Sequence, residues 1–541
     1  MCDIICFFPV WRNLKVANRI LMLKFKEYFG EDNFEIKERE QAKKYLKEKL
    51  DKVQDSLINH IKEQGSVYVI LEFLKIQDEI QCLYIREKKE RHKLIEQNIR
   101  TNELPEINAK IMRNIIEATN VWIENSLIFQ NSKTTEENKF KMNEQLLIDL
   151  FIYGMLSKEL SLIVLCKKYE EDYIYKGIKY SIKAEYPLEI TKDEPIIYYN
   201  TALLGNQNCL MLDEDLANQN DSTFGNGFYN TYGIKFLYFL AVLQHIEQSI
   251  LDEGRIALIS VSIDQFTNIL EGATTVPINS QAIIDNFIIK KDTLKTQLRE
   301  TEELIWQMNV NRIRLELCPF IQLEDGRILL SYRIIEQSIQ LWVSYALNGG
   351  QAYTINGGRR CEDELTRAME QLNEKLSNRL VDKISEELKS KYPEGIVYKE
   401  VEYDRIWSKR DKNYGDFDII YYVPQEKEIF LIEAKYFSDS LNASGMINDY
   451  NKLFRKKGYY AHSRERYNLV LSEPEALKKF LNIQVDVEVH FLFISSKPIE
   501  LELQDKDGIV TFLSLATLSD YIDGKLINCD TDEIMQPTYS I

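Results

Sequence analysis

Cysteine, proline and glycine are all scarce in this chain of 541 residues, which has eight cysteines, 11 prolines and 21 glycines. No two cysteines have CxxC spacing, and no Cys/His cluster has the spacing of a zinc site. The scattered cysteines suit the reducing environment of the cytoplasm. The low proline and glycine content argues against long disordered or fibrous stretches. The composition therefore predicts a mostly ordered, cytoplasmic protein.

Signals for secretion and for membrane insertion are also lacking. The N-terminal segment MCDIICFFPVWRNLK has no basic stretch ahead of its short apolar run, so it does not read as a signal peptide. No uncharged apolar run is long enough to span a bilayer. The formal net charge of −17 argues against a protein that coats nucleic acid indiscriminately, although it leaves room for a local basic groove. We expect no association with a membrane.

The length allows several folded domains, and residues 1–175 are expected to form a largely helical N-terminal region. Segments such as KEREQAKKYLKEKLDKVQDSLINHIKEQ and IREKKERHKLIEQNIR carry apolar residues at helical spacing among dense charges. These charged faces are either the solvated surface of a helical bundle or a surface for a regulatory protein partner.

Residues 176–350 are expected to form a mixed α/β middle region. The segment GNGFYNTYG (225–233) lacks the GxxxxGK[ST] pattern of a phosphate-binding loop and is predicted to be an ordinary loop. An apolar stripe predicts a long helix near 281–308, either packed within the fold or forming the seam of a homo-oligomer. The Asp-Gly pair at 325–326 predicts a β-hairpin. The turn-rich segment 348–360 marks the next boundary.

Residues 351–541 have the pattern of an α/β domain with a central mixed sheet. The predicted elements are a helix at 362–390, strands at 396–403, 416–423 and 428–437, a helix near 444–462 and a strand at 487–495. The fold class predicted for the whole chain is therefore α+β and multidomain.

The turn between the second and third of these strands fixes a register that brings charged residues together. A symmetric loop centred between residues 425 and 426 places Asp418 opposite Glu433, with Cβ atoms about 4.5–5.5 Å apart. Lys435 lies on the same side of its strand as Glu433, because side chains alternate along a strand. Two opposed carboxylates among apolar neighbours repel each other, and a hard divalent cation such as Mg²⁺ or Mn²⁺ would relieve the repulsion.

The segments GDFDII (415–420) and FLIEAKYF (430–437) resemble the signature of the PD-(D/E)XK, or restriction-endonuclease-like, nuclease superfamily. The resemblance covers roughly residues 357–500 and includes the order of helices and strands, although no proline precedes the aspartate. It implies that Asp418, Glu433 and the backbone carbonyl of Ala434 bind the metal ion, and that Lys435 is the catalytic lysine. An ordinary charged hairpin is the alternative reading of the motif.

Some members of this superfamily carry a further acid early in the first helix. The segment GRRCE (358–362) resembles that context, with cysteine in place of phenylalanine. Glu362 would then join the catalytic residues. The alternative is that this acid only complements the dipole at the N-terminus of the helix.

A basic segment, NKLFRKKGYYAHSRERY (451–467), follows the motif and interleaves cations with tyrosines. Such a segment could track a phosphate backbone and stack bases, or it could be a solvated basic helix. Its candidate nucleic-acid-binding residues are Lys452, Arg455, Lys456, Lys457, Arg464 and Arg466.

The resemblance implies a Mg²⁺- or Mn²⁺-dependent endonuclease that hydrolyses phosphodiester bonds in DNA, with RNA not excluded as substrate. The long N-terminal region would regulate or assemble it, and the architecture is similar to that of restriction or anti-phage defence effectors. The alternative is a catalytically inactive nuclease fold that binds nucleic acid or acts as a sensor. In such a relative, Asp418→Ala should stabilise the fold by relieving repulsion between carboxylates.

Overall fold

The structure is a computed structural model of the chain. It describes residues 33–36, 38–77, 109–129, 144–165, 174–178, 181–185, 218–251, 258–292, 294, 315–350, 363–408, 414–438, 449, 451–455, 457–497, 503–505, 507–528 and 533–541. Within these ranges the chain is a mixed α+β protein, with long helices first and the largest sheet near the C-terminus. No helix in the described ranges is long and apolar enough to cross a membrane.

In the described part of the N-terminal region, four helices follow the first strand and form the N-terminal bundle. They are α1 (Arg39–Gln64), α2 (66–77), α3 (Ala109–Ile128) and α4 (Glu144–Leu165). Helices α1 and α3 both pack against α4. The buried face of α1 carries an apolar residue at every third or fourth position, namely Ala42, Leu46, Leu50, Val53, Leu57 and Ile61. This confirms the predicted helix for the first charged segment, while the second one (85–100) lies outside the described residues.

A three-stranded antiparallel sheet flanks the bundle, with β1 (Asn33–Ile36), β2 (Ile174–Ile178) and β3 (Ser181–Glu185) in that order.

The middle region combines helices with a four-stranded sheet. Its helices are α5 (Thr223–Tyr232), α6 (Phe236–Leu251), α7 (Ile263–Gly272), α8 (Ser280–Asn286) and α9 (Tyr332–Asn348). Its strands are β4 (Ile259–Val261), β5 (Ile288–Ile289), β6 (Phe320–Gln322) and β7 (Ile328–Leu330), in the order β4-β7-β6-β5. Strands β6 and β7 are antiparallel on either side of the Asp-Gly turn, which confirms the predicted hairpin.

The loop prediction for residues 225–233 is wrong, because most of this segment belongs to helix α5. The Ser222 side chain caps the helix by accepting a hydrogen bond from the Gly225 backbone N–H at 2.9 Å. Gly233 ends the helix in the left-handed conformation, with φ of 73°. Gly227 lies where a Cβ would be 2.6 Å from the Ala368 Cβ. Gly227 therefore allows α5 to pack closely against the helix that contains Ala368, and it does not indicate a flexible loop.

The long helix predicted near 281–308 is wrong near its start, where a strand interrupts it, although residues 291, 292 and 294 are helical. Helix α8 ends at Asn286, and Ile288 and Ile289 form β5, parallel to β6. The run Phe287-Ile288-Ile289 is buried. A short apolar run with β-branched residues fits a buried strand as well as a helix, and pairing with β6 decides between the two. Most of the remaining predicted helix lies outside the described residues.

The C-terminal region begins with helix α10 (Glu364–Lys391) and contains a seven-stranded mixed sheet. The strands are β8 (Ile396–Glu402), β9 (Asp416–Val423), β10 (Glu428–Lys435), β11 (Glu488–Ser495), β12 (Leu503–Gln504), β13 (Thr511–Ser514) and β14 (Tyr539–Ser540). Their order is β12-β13-β11-β10-β9-β8, with β14 paired to β11. Strand β10 is antiparallel to β9 and parallel to β11, as a mixed sheet requires.

The remaining helices of this region are α11 (Tyr403–Trp407), α12 (Tyr459–Ser472), α13 (Pro474–Leu481) and α14 (Leu518–Ile522). Instead of the single helix predicted near 444–462, residues 451–454 are helical and α12 starts after a break at Gly458. A Cβ at Gly458 would lie 2.4 Å from the Leu453 carbonyl oxygen, so the break requires glycine.

Alternation along the central strands divides the core between the two faces of the large sheet. Leu431 shares one apolar cluster with Tyr467 of α12. Phe430 and Ile432 point to the opposite face and share a second cluster with α10 and the middle region. Helices therefore cover both faces of β10, and the second cluster spans the predicted boundary near residue 350.

Candidate functional site

The hairpin of β9 and β10 has the predicted register. The paired residues run from Glu428 opposite Val423 to Ile432 opposite Ile419. One step further, Asp418 and Glu433 lie at facing positions, as the sequence predicted. Ladder pairing stops there, and the Asp418 carboxylate instead accepts a hydrogen bond from the Ala434 backbone N–H at 2.7 Å. The end of the hairpin is thus the place where charged side chains meet.

Asp418 is the more accessible of the two carboxylates, with 20% of its side chain exposed. Its Oδ2 atom accepts a second hydrogen bond, from the Nζ of Lys435 at 2.9 Å. A carboxylate with two donors on one oxygen and partial exposure is held in a defined orientation while it can still reach solvent.

Glu433 is almost fully buried, with 2% of its side chain exposed. Burial raises the pKa of this carboxyl group, while the positive charges of Lys435 and Arg466 act in the opposite direction. Its Oε1 accepts a short hydrogen bond from Nη1 of Arg466. Its Oε2 lies 3.4 Å from Nζ of Lys435.

Lys435 bridges the two acids, because its ammonium group contacts both Asp418 and Glu433. Burial alone would lower the pKa of this lysine, but the two carboxylates more than offset that effect and raise it. Lys435 is therefore protonated at neutral pH. Lys435 therefore supplies a positive charge between the two carboxylates.

Arg466 completes the site from helix α12. The Tyr467 hydroxyl donates a hydrogen bond to the Leu492 carbonyl at 2.6 Å and so anchors α12 on the sheet. The guanidinium lies 5.7 Å from the centre of the Tyr403 ring. It also packs against Gly415, where a Cβ would lie 2.4 Å from Nη2. Backbone anchoring and the missing side chain at Gly415 together direct this arginine onto Glu433.

The charges of the four side chains balance. The sequence predicted that the two opposed carboxylates need a divalent cation to relieve their repulsion, and this argument is corrected by the structure. Lys435 and Arg466 supply two positive charges against the two negative charges of Asp418 and Glu433. Charge repulsion alone therefore does not demand a metal ion.

Arg466 is predicted from the sequence to belong to a nucleic-acid-binding segment, and its place beside Glu433 is not predicted. No local signal marks this role, since 33 positions separate the two residues. A second relationship is not predicted either. Lys399 pairs with Ile419 and Val401 with Phe417, and this register places Glu400 of β8 opposite Asp418. Glu400 is exposed and has a φ of 51°, and the ladder is interrupted at its position.

The other predicted nucleic-acid-binding residues divide into two groups. Arg464 turns into the protein, where it donates hydrogen bonds to the Tyr460 hydroxyl at 2.9 Å and to Asp505 at 3.2 Å. The Nζ atom of Lys452 lies 3.4 Å from Oδ1 of Asp449. Arg455 and Lys457 are exposed on the short stretch before α12.

Two predicted residues, Lys456 and Glu362, lie outside the described residues, so the structure does not place either of them.

Asp418 and Glu433 supply side-chain oxygen atoms for a metal ion at this site. In the described part of the chain, no three His, Cys, Asp or Glu side chains converge to form a metal-binding group. The two carboxylates nevertheless converge on one point, because both contact the Lys435 ammonium. Carboxylate oxygens are the ligands that Mg²⁺ and Mn²⁺ prefer. Two side chains of the right kind are therefore present.

Comparisons of the chain with protein-family models, with curated proteins and with solved structures found no match.

Proposed function

We propose that this protein is a metal-dependent nuclease that hydrolyses phosphodiester bonds in DNA, with its active site at the end of the β9–β10 hairpin. The observation that carries the proposal is the convergence of Asp418, Glu433 and the protonated Lys435 at one partly exposed point. In this arrangement the two carboxylates are ligands for a hard cation. The positive charge of the lysine can stabilise negative charge on a phosphoryl oxygen. The resemblance of this hairpin to the PD-(D/E)XK motif supports the same proposal.

Asp418, Glu433 and the backbone carbonyl of Ala434 would hold Mg²⁺ or Mn²⁺. When bound, such an ion would lower the pKa of a water molecule and polarise a phosphate oxygen. Other residues of the chain would stabilise charge on the substrate and bind the nucleic acid. Lys435 would neutralise charge that develops on the phosphoryl group. The exposed cations Arg455 and Lys457 would contact the nucleic-acid backbone, where each contact adds a salt-dependent contribution to binding.

The proposal also includes a cytoplasmic location and regulation by the N-terminal region. A cytoplasmic protein with a long helical region ahead of its nuclease site fits restriction or anti-phage defence. The bundle of α1–α4 would then sense a trigger, bind a regulatory protein or support assembly into a homo-oligomer.

A catalytically inactive, nucleic-acid-binding protein is the second candidate. The observation that favours it is the internal balance of charge, in which Arg466 and Lys435 satisfy Glu433 without a metal ion. A protein that has no use for a divalent cation would have the same arrangement.

Cleavage assays separate the two candidates. Supercoiled plasmid, single-stranded DNA and RNA would each be incubated with the full-length protein in Mg²⁺, in Mn²⁺ and in EDTA. We expect cleavage with either cation, no cleavage in EDTA, and losses of at least about 100-fold in Glu433→Gln and Lys435→Met. Lys383→Met is the matched control, because this exposed lysine forms a salt bridge with Glu386 on the surface of α10.

The results of the cleavage assays test the assignment of the site and separate the two candidate functions. Activity that survives Glu433→Gln and Lys435→Met would refute the assignment of the site. Binding of DNA without cleavage in either cation would favour the inactive candidate.

A further inference from the structure

The two cations of the site differ in how they are held. Lys435 lies two residues after Glu433 on the same strand, and its ammonium group contacts both Asp418 and Glu433. Arg466 reaches Glu433 from a separate helix by the end of a long side chain, of which 19% is exposed. Because Arg466 forms an ion pair with one of the two carboxylates and Lys435 with both, the arginine leaves the site with the loss of a single ion pair.

The total charge of the site gives a reason for such a movement. With all four side chains ionised, the site is neutral, and a divalent cation would add two positive charges to it. The added charge would lie close to a guanidinium that contacts the same carboxylate. Arg466 and a divalent cation therefore compete for Glu433, since like charges at short distance in a partly buried site repel strongly.

We propose that Arg466 is an exchangeable counter-ion of Glu433, which holds this carboxylate in the metal-free protein and must leave it when a divalent cation binds. The inference rests on the proposed function, because it concerns the same site. It makes Arg466 a positioning residue rather than a ligand, and it predicts that the protein binds its cation more weakly than the two carboxylates alone would allow.

Gly415 provides an independent way to disturb the contact. A Cβ at this position would lie 2.4 Å from Nη2 of Arg466, so Gly415→Ala pushes the guanidinium from its place while the arginine is still present. Because Gly415 has a φ of 79°, the substitution also strains the backbone, and this variant is compared with the wild type at a temperature where both are folded. Arg466→Gln removes the charge altogether. Arg466→Lys keeps the charge but loses the planar group that reaches Oε1 of Glu433. These three substitutions disturb the same contact by different means.

The test is Mn²⁺ binding to the full-length protein by titration calorimetry at pH 8, without nucleic acid. Arg466→Gln should bind Mn²⁺ about tenfold more tightly than the wild type, which is the effect expected when one competing ion pair is removed. Gly415→Ala and Arg466→Lys should also bind more tightly, but by smaller factors. Glu433→Gln should abolish the binding. Circular dichroism would establish that each variant is folded.

The inference and the proposed function fail in different ways. Mn²⁺ binding that depends on Glu433 but is equal or weaker in Arg466→Gln and Gly415→Ala would overturn the inference alone. Should Arg466→Gln not fold, the same comparison is made with Arg466→Lys and Gly415→Ala. Absence of Mn²⁺ binding in every folded form would overturn both the inference and the metal-dependent function.

Discussion

Arg466 and Glu433 form a hydrogen-bonded ion pair between helix α12 and strand β10, although 33 positions separate them in the chain. The pair joins a residue from the basic segment to a residue of the acidic hairpin. It also ties the position of the helix to the charge state of the site, since the carboxylate is buried and the guanidinium is mostly covered.

This ion pair and its neighbours change the expectation for substitutions of Asp418. In metal-free buffer, Asp418→Ala should lower the free energy of unfolding by about 1–2 kcal/mol, because the Ala434 N–H and the Lys435 ammonium lose their acceptor. From the sequence alone, the same substitution was expected to stabilise an inactive relative by relieving repulsion. Thermal unfolding monitored by circular dichroism in EDTA would measure the effect.

A matched control for this substitution is Asp382→Ala on the exposed surface of α10. Its salt bridge with Lys399 is solvent-exposed and should contribute no more than about 1 kcal/mol. A more stable Asp418→Ala protein would contradict the charge balance described for the site.

The contact between α5 and α10 makes a second prediction. Gly227→Ala should destabilise the protein by about 1–3 kcal/mol, because the new Cβ would lie 2.6 Å from the Ala368 Cβ and 2.9 Å from the Glu364 carbonyl oxygen. Gly272→Ala is the control, since nothing lies within 4 Å of a Cβ at that position. The control should leave the unfolding midpoint unchanged or raise it slightly. Equal midpoints for the two variants would argue against close packing of the helices.

The third prediction concerns Glu316, where the chain before β6 contacts helix α3. Burial raises the pKa of this carboxyl group to about 7, with a further upward contribution from Glu124 and an opposing one from Arg333. Because the folded pKa lies above the ordinary value of 4.5, this group favours the folded state at low pH. That contribution is lost as the pH rises through about 7.

Glu316→Gln should therefore be more stable than the wild type above pH 7, by about 1–3 kcal/mol. The difference should shrink as the pH falls toward 4.5. The substitution keeps an oxygen that can accept the hydrogen bond from Asn120. Unfolding midpoints measured between pH 4.5 and pH 8.5 would test the slope. A constant difference across this range would contradict the assigned pKa.

The parts of the fold that the sequence predicted well are those set by local patterns. The register of the β9–β10 hairpin depends on one short turn, so the facing positions of Asp418 and Glu433 could be predicted from residue numbers. The bounds of α10 and the amphipathic stripe of α1 are equally local. The restriction-endonuclease-like topology and the activity itself stay predictions.

The parts that the sequence could not supply depend on distant partners. The glycines of α5 predict a loop when the sequence is read locally. In the structure, Gly227 lies against Ala368, more than a hundred positions away, and this close contact needs a glycine in the helix. The apolar residues after Asn286 form a strand because β6 pairs with them. Arg466 was assigned to a nucleic-acid-binding surface, since nothing in its own segment specifies that α12 turns it toward Glu433.

Helix α10 has a consequence for how this protein can be divided. Its apolar residues lie in one cluster with strands of the large sheet and with Phe224 and Phe228 of α5, and they include Leu365, Met369, Leu372 and Leu376. A transplant of residues 351–541 onto another carrier would expose to water the part of this stripe that packs against α5. The large sheet therefore does not carry its complete core within residues 351–541, and functional chimaeras between this chain and other proteins should exchange α5 and α10 together.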